Sequence, residues 1–163
     1  VGLVFRCAPN QPQMRALDRK MNDSRKSYKE VTLRILGSFQ LLEFALKAYI
    51  GRAYSVIKNS VEEKVHFGYS TKDVEEFPLE RLLNVFSKLN ANKKLIARLN
   101  KLRVGRNHIA HRSLIVTMGP MYDPGAIEDK YIEYFWLEDE LTECLGLVID
   151  EARLLNQELQ SEA

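Results

Sequence analysis

Residues 28–59, YKEVTLRILGSFQLLEFALKAYIGRAYSVIKN, decide the fold class. Ile35, Phe39, Leu42, Leu46, Tyr49, Ala53 and Ile57 recur at the alternating three-and-four spacing that puts them on one stripe of a helix. Gly37 and Gly51 weaken that helix only locally. Upstream, Pro9 and Pro12 break residues 1–12, and Gln13–Lys29 is polar but helix-tolerant, with Met14, Leu17 and Met21 at helical spacing. Residues 1–27 therefore read as an N-terminal arm or a first short helix, and 28–163 as the domain.

Downstream, His66–Asp73 reads as a loop. Phe77-Pro78-Leu79-Glu80 opens a second helix, with proline where its missing N–H costs nothing. Leu79, Leu82, Leu83, Phe86 and Leu89 form its buried face. Asn90-Ala91-Asn92 stops it and can cap the next helix, whose stripe is Leu95, Leu99, Leu102, Ile109 and Val116. Gly119–Gly125 is a turn cluster. The β-tolerant stretches on either side, Leu114–Met118 and Tyr131–Leu137, leave room for a small β-hairpin near 114–137. Leu137–Glu158 is a last amphipathic helix, with Leu141, Leu145, Val148 and Leu155 inward. The expectation is an all-α fold, an antiparallel bundle of four to five helices.

Composition agrees. Only 8 Gly and 5 Pro interrupt 163 residues, and 45% hydrophobic residues suffice for a substantial core. Cys7 and Cys144 are too few for a disulfide framework or a cysteine zinc site. No apolar run reaches the ~18 residues that span a bilayer, and Val1–Phe5 is too short for the core of a secretory leader. The expected location is cytoplasmic, with no membrane partner.

With 24 Lys plus Arg against 22 Asp plus Glu, the net charge of +2 does not announce a nucleic-acid binder. The distribution is more telling. Ala91–Arg112 holds seven cations (Lys93, Lys94, Arg98, Lys101, Arg103, Arg106, Arg112) and no acid, whereas Leu137–Ala163 holds eight acids and only Arg153. Such asymmetry directs a polyanion to one face and away from another, although two solvated helix faces would give the same pattern.

Within the basic run lies Arg106-Asn107-His108-Ile109-Ala110-His111. On a helical wheel Leu102, Arg106 and Ile109 fall within about 60° of one another, so Arg106 takes a position that the pattern reserves for the core. A guanidinium there needs a partner. His111 lies about 180° from Leu102, beside Asn107 and Arg103. A histidine titrating near neutrality can move protons at a ribose hydroxyl or a leaving oxygen. An arginine can hold a phosphate in a forked contact and stabilise its developing charge, and Asn107 can orient an oxygen. The two side chains reach one site if the arginine wraps round the helix, or if a two-fold axis makes a joint cleft. Without such a cleft, Arg106 answers a buried acid and His111 faces solvent.

These residues resemble a known family. Leu99–Ser113, LNKLRVGRNHIAHRS, is similar to the signature of the HEPN superfamily, an all-helical domain marked by Arg, a polar residue that is commonly Asn, a few further residues and then His. Leu41-Leu42-Glu43-Phe44-Ala45-Leu46-Lys47 resembles that family's long early helix with an acid among apolar residues. The likeness covers 28–160 in architecture and is specific at 99–113. It implies a metal-independent endoribonuclease, acting in a toxin, phage-defence or RNA-processing role. Such enzymes cleave single-stranded RNA to a 2′,3′-cyclic phosphate, as homodimers whose two motifs build one cleft. Arg106 and His111 would be catalytic and Asn107 supporting, with no cofactor. The likeness also allows a non-catalytic module that binds a nucleotide or a protein, often beside a nucleotidyltransferase-type antitoxin.

Around this motif, Lys101, Arg103 and Arg112 are the expected guides for an RNA backbone. Glu43 reads either as the partner of Arg106 or as an ordinary boundary glutamate. His108 and His111 share a zinc-compatible spacing, but His66 is distant and no acid lies nearby, so His108 reads as an extra RNA contact or an exposed residue and no metal is expected. Tyr69, Tyr122, Tyr131, Tyr134 and Trp136 can stack on unpaired bases or lid the core. Phe135 and Trp136 read as core lids, and Tyr122, between two prolines, as the exposed candidate. Glu138, Asp139 and Glu140 read as acids favouring a helix start.

Overall fold

The computed structural model describes residues 11–61 and 65–161, the side chains of 12–18, 120 and 158–161 excepted. The first helix, α1, runs Gln11–Ser60. At 50 residues it is about 75 Å long. The stripe read from the sequence turns inward: Tyr28, Ile35, Phe39, Leu42, Leu46 and Ile50 are buried to 2% exposure or less. Residues 11–27 continue the same helix, and Arg19–Ser27 are exposed apart from half-buried Arg25. Residues 1–10, expected to be irregular, lie outside the described residues.

The chain returns through α2 (Thr71–Glu75), α3 (Leu79–Leu89) and α4 (Lys93–Arg112). Two 3-10 turns, Ile115–Thr117 and Gly119–Met121, lead to α5 (Pro124–Ser161). Asn90 and Asn92 stop one helix and start the next. The Asn92 side chain accepts the Leu95 N–H at 3.1 Å, and Asn90 Oδ1 accepts the Asn92 N–H at 2.8 Å. Both amides donate to Glu151 at 2.8 Å, and that of Asn90 also to the Tyr49 hydroxyl at 3.1 Å, which ties this corner to α1 and α5.

No strand occurs among the described residues, so the hairpin near 114–137 is corrected to two 3-10 turns followed by helix. Asp123-Pro124 is the reason. Asp123 Oδ1 accepts the Ala126 N–H at 3.0 Å, and Pro124 takes the first helical position, where an N–H has no partner to lose. Beyond it, Ile127, Tyr134, Leu141 and Val148 recur at heptad spacing and are all buried. The last helix thus begins about four turns before Leu137. Glu138, Asp139 and Glu140 sit in its middle rather than at its start.

Cross-links give the directions. Tyr28 stacks on Tyr134 (5.6 Å between ring centroids), Arg34 pairs with Glu138, and Tyr49 reaches Glu151 through Asn90. Residue numbers rise together, so α1 and α5, the most extensively packed pair, run parallel. Arg98 pairs with Glu140 and Gly105 faces Leu137, so numbers run oppositely and α4 is antiparallel to α5. Neighbours in sequence alternate in direction as expected, but the two longest helices do not oppose each other. At Gly105 a Cβ would sit 3.3 Å from Leu137 Cδ2, a close approach that a larger residue would disturb.

Candidate functional site

The acid-free helix α4 sorts its cations by partner. Leu95, Leu99, Leu102 and Ile109 are buried, which fixes the rotation of the helix. Arg98 turns to α5 and donates to both oxygens of Glu140 at 2.7 Å and to Glu143 at 2.5 Å. Those hydrogen bonds hold the Glu140 carboxyl below the usual glutamate range. Arg103 donates to Glu80 of α3 at 3.0 Å. Arg106 turns to α1, where its Nη2 stands 3.7 Å from Glu43 Oε1, too far for a hydrogen bond. The side chains of Arg106 and Glu43 are 36% and 22% exposed. The position that the periodicity reserves for a core residue is thus half-buried where α4 meets α1. Glu43 is indeed the acid opposite Arg106.

Asn107, His111, Lys101 and Arg112 are exposed, with no hydrogen bond or ion pair among the described residues. His111 lies about 140° round the helix from Arg106. One protomer therefore does not bring the two side chains onto one stripe. His108, expected as an RNA contact or an exposed residue, is half-buried instead. Its Nδ1 is 3.4 Å from the hydroxyl of buried Tyr134. Tyr134 lies in turn 3.5 Å from the Tyr28 hydroxyl, which donates to the Ser113 carbonyl at 2.9 Å. Burial and the Tyr28 contact push the Tyr134 phenol well above its ordinary range, so it stays neutral. This polar knot anchors the end of α4 that carries His111.

The aromatics distribute differently from expectation. Phe135 and Trp136, read as core lids, are exposed, Trp136 to 68%. On α5 the core takes positions 134, 137 and 141, and the two rings between them turn outward. Trp136 follows Phe135 edge-on, with 6.2 Å between centroids. Val104, at the centre of the outward face of α4, is 70% exposed. Tyr122, expected to be exposed, is half-buried under Arg25, whose guanidinium carbon lies 4.0 Å from the ring centre. Tyr69, half-exposed, packs with Tyr54 and Phe67. Tyr134 is core.

Other chemistry finds little support among these residues. No group of three or more His, Cys, Asp or Glu suited to a metal ion occurs among the described residues. The buried Cys144 thiol is pushed up to about 11 by burial, which keeps it an unreactive thiol at neutral pH. No helix among the described residues is long and apolar enough to cross a membrane.

Sequence reasoning missed the outward turn of Trp136, for which the heptad of α5 was the available signal. Comparison of the chain with family models, with curated proteins and with solved structures finds no match.

Proposed function

We propose that this chain is a metal-independent endoribonuclease of HEPN type that cleaves single-stranded RNA. The observation that carries the reading is the difference in pairing along α4. Arg98 and Arg103 are hydrogen-bonded to acids, while Arg106, Asn107 and His111 keep their donors and acceptors unmatched. A folded domain leaves such groups unmatched at little cost only where water or a ligand reaches them.

In this reading the ribose 2′-oxygen attacks the phosphorus and the bond to the 5′-oxygen breaks. His111 accepts the hydroxyl proton or supplies one to the leaving oxygen. Arg106 holds the phosphate and stabilises the charge built up on it, and Glu43 keeps the guanidinium aimed without capping its hydrogen-bonding edge. Asn107 orients an oxygen. Lys101 and Arg112 guide the backbone, whereas Arg103 does so only when it leaves Glu80. The product is a 2′,3′-cyclic phosphate.

With Arg106 turned to Glu43 and His111 about 140° away, the route to one cleft in this reading is a second copy. Two features of the outward surface fit one. Val104 and Trp136 expose large apolar groups on adjacent helices, where α4 is free of acid and α5 is rich in it. A two-fold axis along that seam sets the basic helix of each copy against the acidic helix of the other. It also puts both motifs in one cleft.

A second reading, a non-catalytic module binding a nucleotide or a protein, draws on the same separation. It leaves Arg106 attending Glu43 and His111 in solvent. Incubation with mixed single-stranded RNA in EDTA, beside His111→Ala, decides between them. Cyclic-phosphate ends from the wild type alone support the nuclease. Intact RNA with a folded, dimeric wild type supports the module.

A further inference from the structure

Between the N-terminal half of α1 and the turn ahead of α5 lies a recess that holds an arginine. Met21, Asn22, Arg25 and Tyr122 line it, and its volume is about 240 Å³. The Arg25 guanidinium carbon lies 4.0 Å from the centre of the Tyr122 ring. Arg25 Nε is buried without a hydrogen-bond partner, and no acid pairs with it among the described residues. A buried donor left unmatched is rare in folded proteins and asks for an explanation.

A chain of contacts runs from the recess to the C-terminal end of α4. Tyr28, one turn beyond Arg25 on α1, donates to the carbonyl of Ser113, two positions past His111. The surrounding charge is also suggestive. Arg19–Lys29 holds five cations (Arg19, Lys20, Arg25, Lys26, Lys29) against Asp23 alone, and exposed Arg112 lies in the last turn of α4. A polyanion leaving His111 meets positive charge on both helices.

We infer that this recess binds one nucleotide of the single-stranded RNA that is cleaved at His111. The inference rests on the ribonuclease reading. A guanidinium placed over a tyrosine ring can offer a base a stacking partner and its terminal N–H groups to a phosphate. The phosphate would pair the charge that no acid meets among the described residues. The Asn22 amide has both a donor and an acceptor for a base edge, and Met21 flanks the base with a soft apolar group. Stacking of this kind tolerates any base, so the recess sets affinity and register along the strand rather than sequence preference.

The test uses the full chain silenced by His111→Ala and a fluorescently labelled single-stranded RNA, read by anisotropy over a series of salt concentrations. Arg25→Gln is expected to weaken binding about tenfold. It should also lower the slope of log affinity against log salt by about 0.7, the share of one phosphate on a single strand. Arg25→Lys should not restore binding, because an ammonium cannot stack as a plane. Asn22→Ala, at an exposed position that does not threaten folding, should lose about threefold.

An Arg25→Gln loss that is equal on inorganic polyphosphate overturns the proposal, since Arg25 is then a general cation without a base to hold. If the wild type cleaves RNA and Arg25→Gln changes neither affinity nor slope, the recess proposal falls and the ribonuclease reading stands. If the wild type neither binds nor cleaves RNA, both fall.

Discussion

The two halves of α4 carry similar charge and use it differently. In the first half, Asn92 caps the helix, Glu151 gathers Asn90 and Asn92, and Arg98 is chelated by Glu140 and Glu143. In the second half, Arg106 faces Glu43 across 3.7 Å, and Asn107, His111 and Arg112 meet nothing among the described residues. Folding accounts for Arg98 and the capped end, as it does for Arg103 on Glu80, and exposed Lys93, Lys94 and Lys101 are ordinary solvated lysines. It does not account for the rest of the second half, where a half-buried guanidinium and an exposed imidazole follow each other on a helix that core packing alone would complete with leucine or a solvated charge. Basic composition is therefore a poor guide to where a ligand binds. Unmatched hydrogen-bonding capacity is a better one.

Removing the acid–base group should break the second half most severely. His111→Ala is expected to slow RNA cleavage by about 10²–10⁴-fold, the usual worth of positioned proton transfer. Its exposed position predicts a stability change within about 0.5 kcal/mol. Single-turnover cleavage in EDTA with a denaturation curve for each protein checks both. A variant that cleaves normally removes His111 from the chemistry and returns it to the solvated surface.

Breaking the first half should have the opposite signature. Asn90→Ala deletes donors to Tyr49 and Glu151 and the acceptor for the Asn92 N–H. With Asn90 only 6% exposed, removal of these three hydrogen bonds predicts a loss of about 2 kcal/mol. The rate of the folded fraction should be unchanged. Equilibrium denaturation beside cleavage assays tests the pair, and a rate loss at full folding would mean that the corner communicates with the motif.

Glu43→Gln addresses the join between α1 and α4. If the carboxylate aims Arg106, the neutral amide should lower the cleavage rate about tenfold with folding intact, the size of one partly screened charge contact at 3.7 Å. Wild-type activity would make Glu43 an ordinary boundary residue after all.

How much of this was legible depended on what each residue had to satisfy. The stripe of α1 and those of α3 and α4 were readable because a buried face imposes a period on its own sequence. The opposition of Glu43 and Arg106 was readable as one of two options, because a guanidinium on a core stripe demands an acid. The start of α5 was not read correctly, since Pro124-Gly125 signals a turn and the Asp123 cap competes with that signal locally. Tyr131–Leu137 is rich in β-tolerant residues, and only its continuity with Ile127, Leu141 and Val148 shows the helix. The parallel pairing of α1 with α5 leaves no local trace, because direction is set by the path of α2, α3 and α4 between them. The recess at Arg25 was also invisible. It joins residues nearly a hundred positions apart, and an orphaned Nε exists only in three dimensions.

The weakest test sharpens the same contrast through pH. Arg98 holds Glu140 below the ordinary glutamate range through a hydrogen bond, and Arg34 does the same for Glu138. A carboxyl whose pKa is depressed by folding stabilises the native state fully above its unfolded value, about 4.3, and loses that contribution as pH falls through the folded value. Stability should therefore be flat near neutrality and begin to fall below about pH 4.3. In Arg98→Ala the Glu140 part of that contribution is already absent at neutral pH. The pair is well exposed and screened, so the loss is small, a slight shift of the denaturation midpoint. The informative quantity is the gap between variant and wild type, which should narrow on acidification as Glu140 protonates in both. A gap that stays constant from neutral to acid pH would show that Arg98 contributes through packing of its aliphatic stem on α5. It would also remove the charge-matching account of the first half of α4 while leaving the unmatched groups of the second half in place.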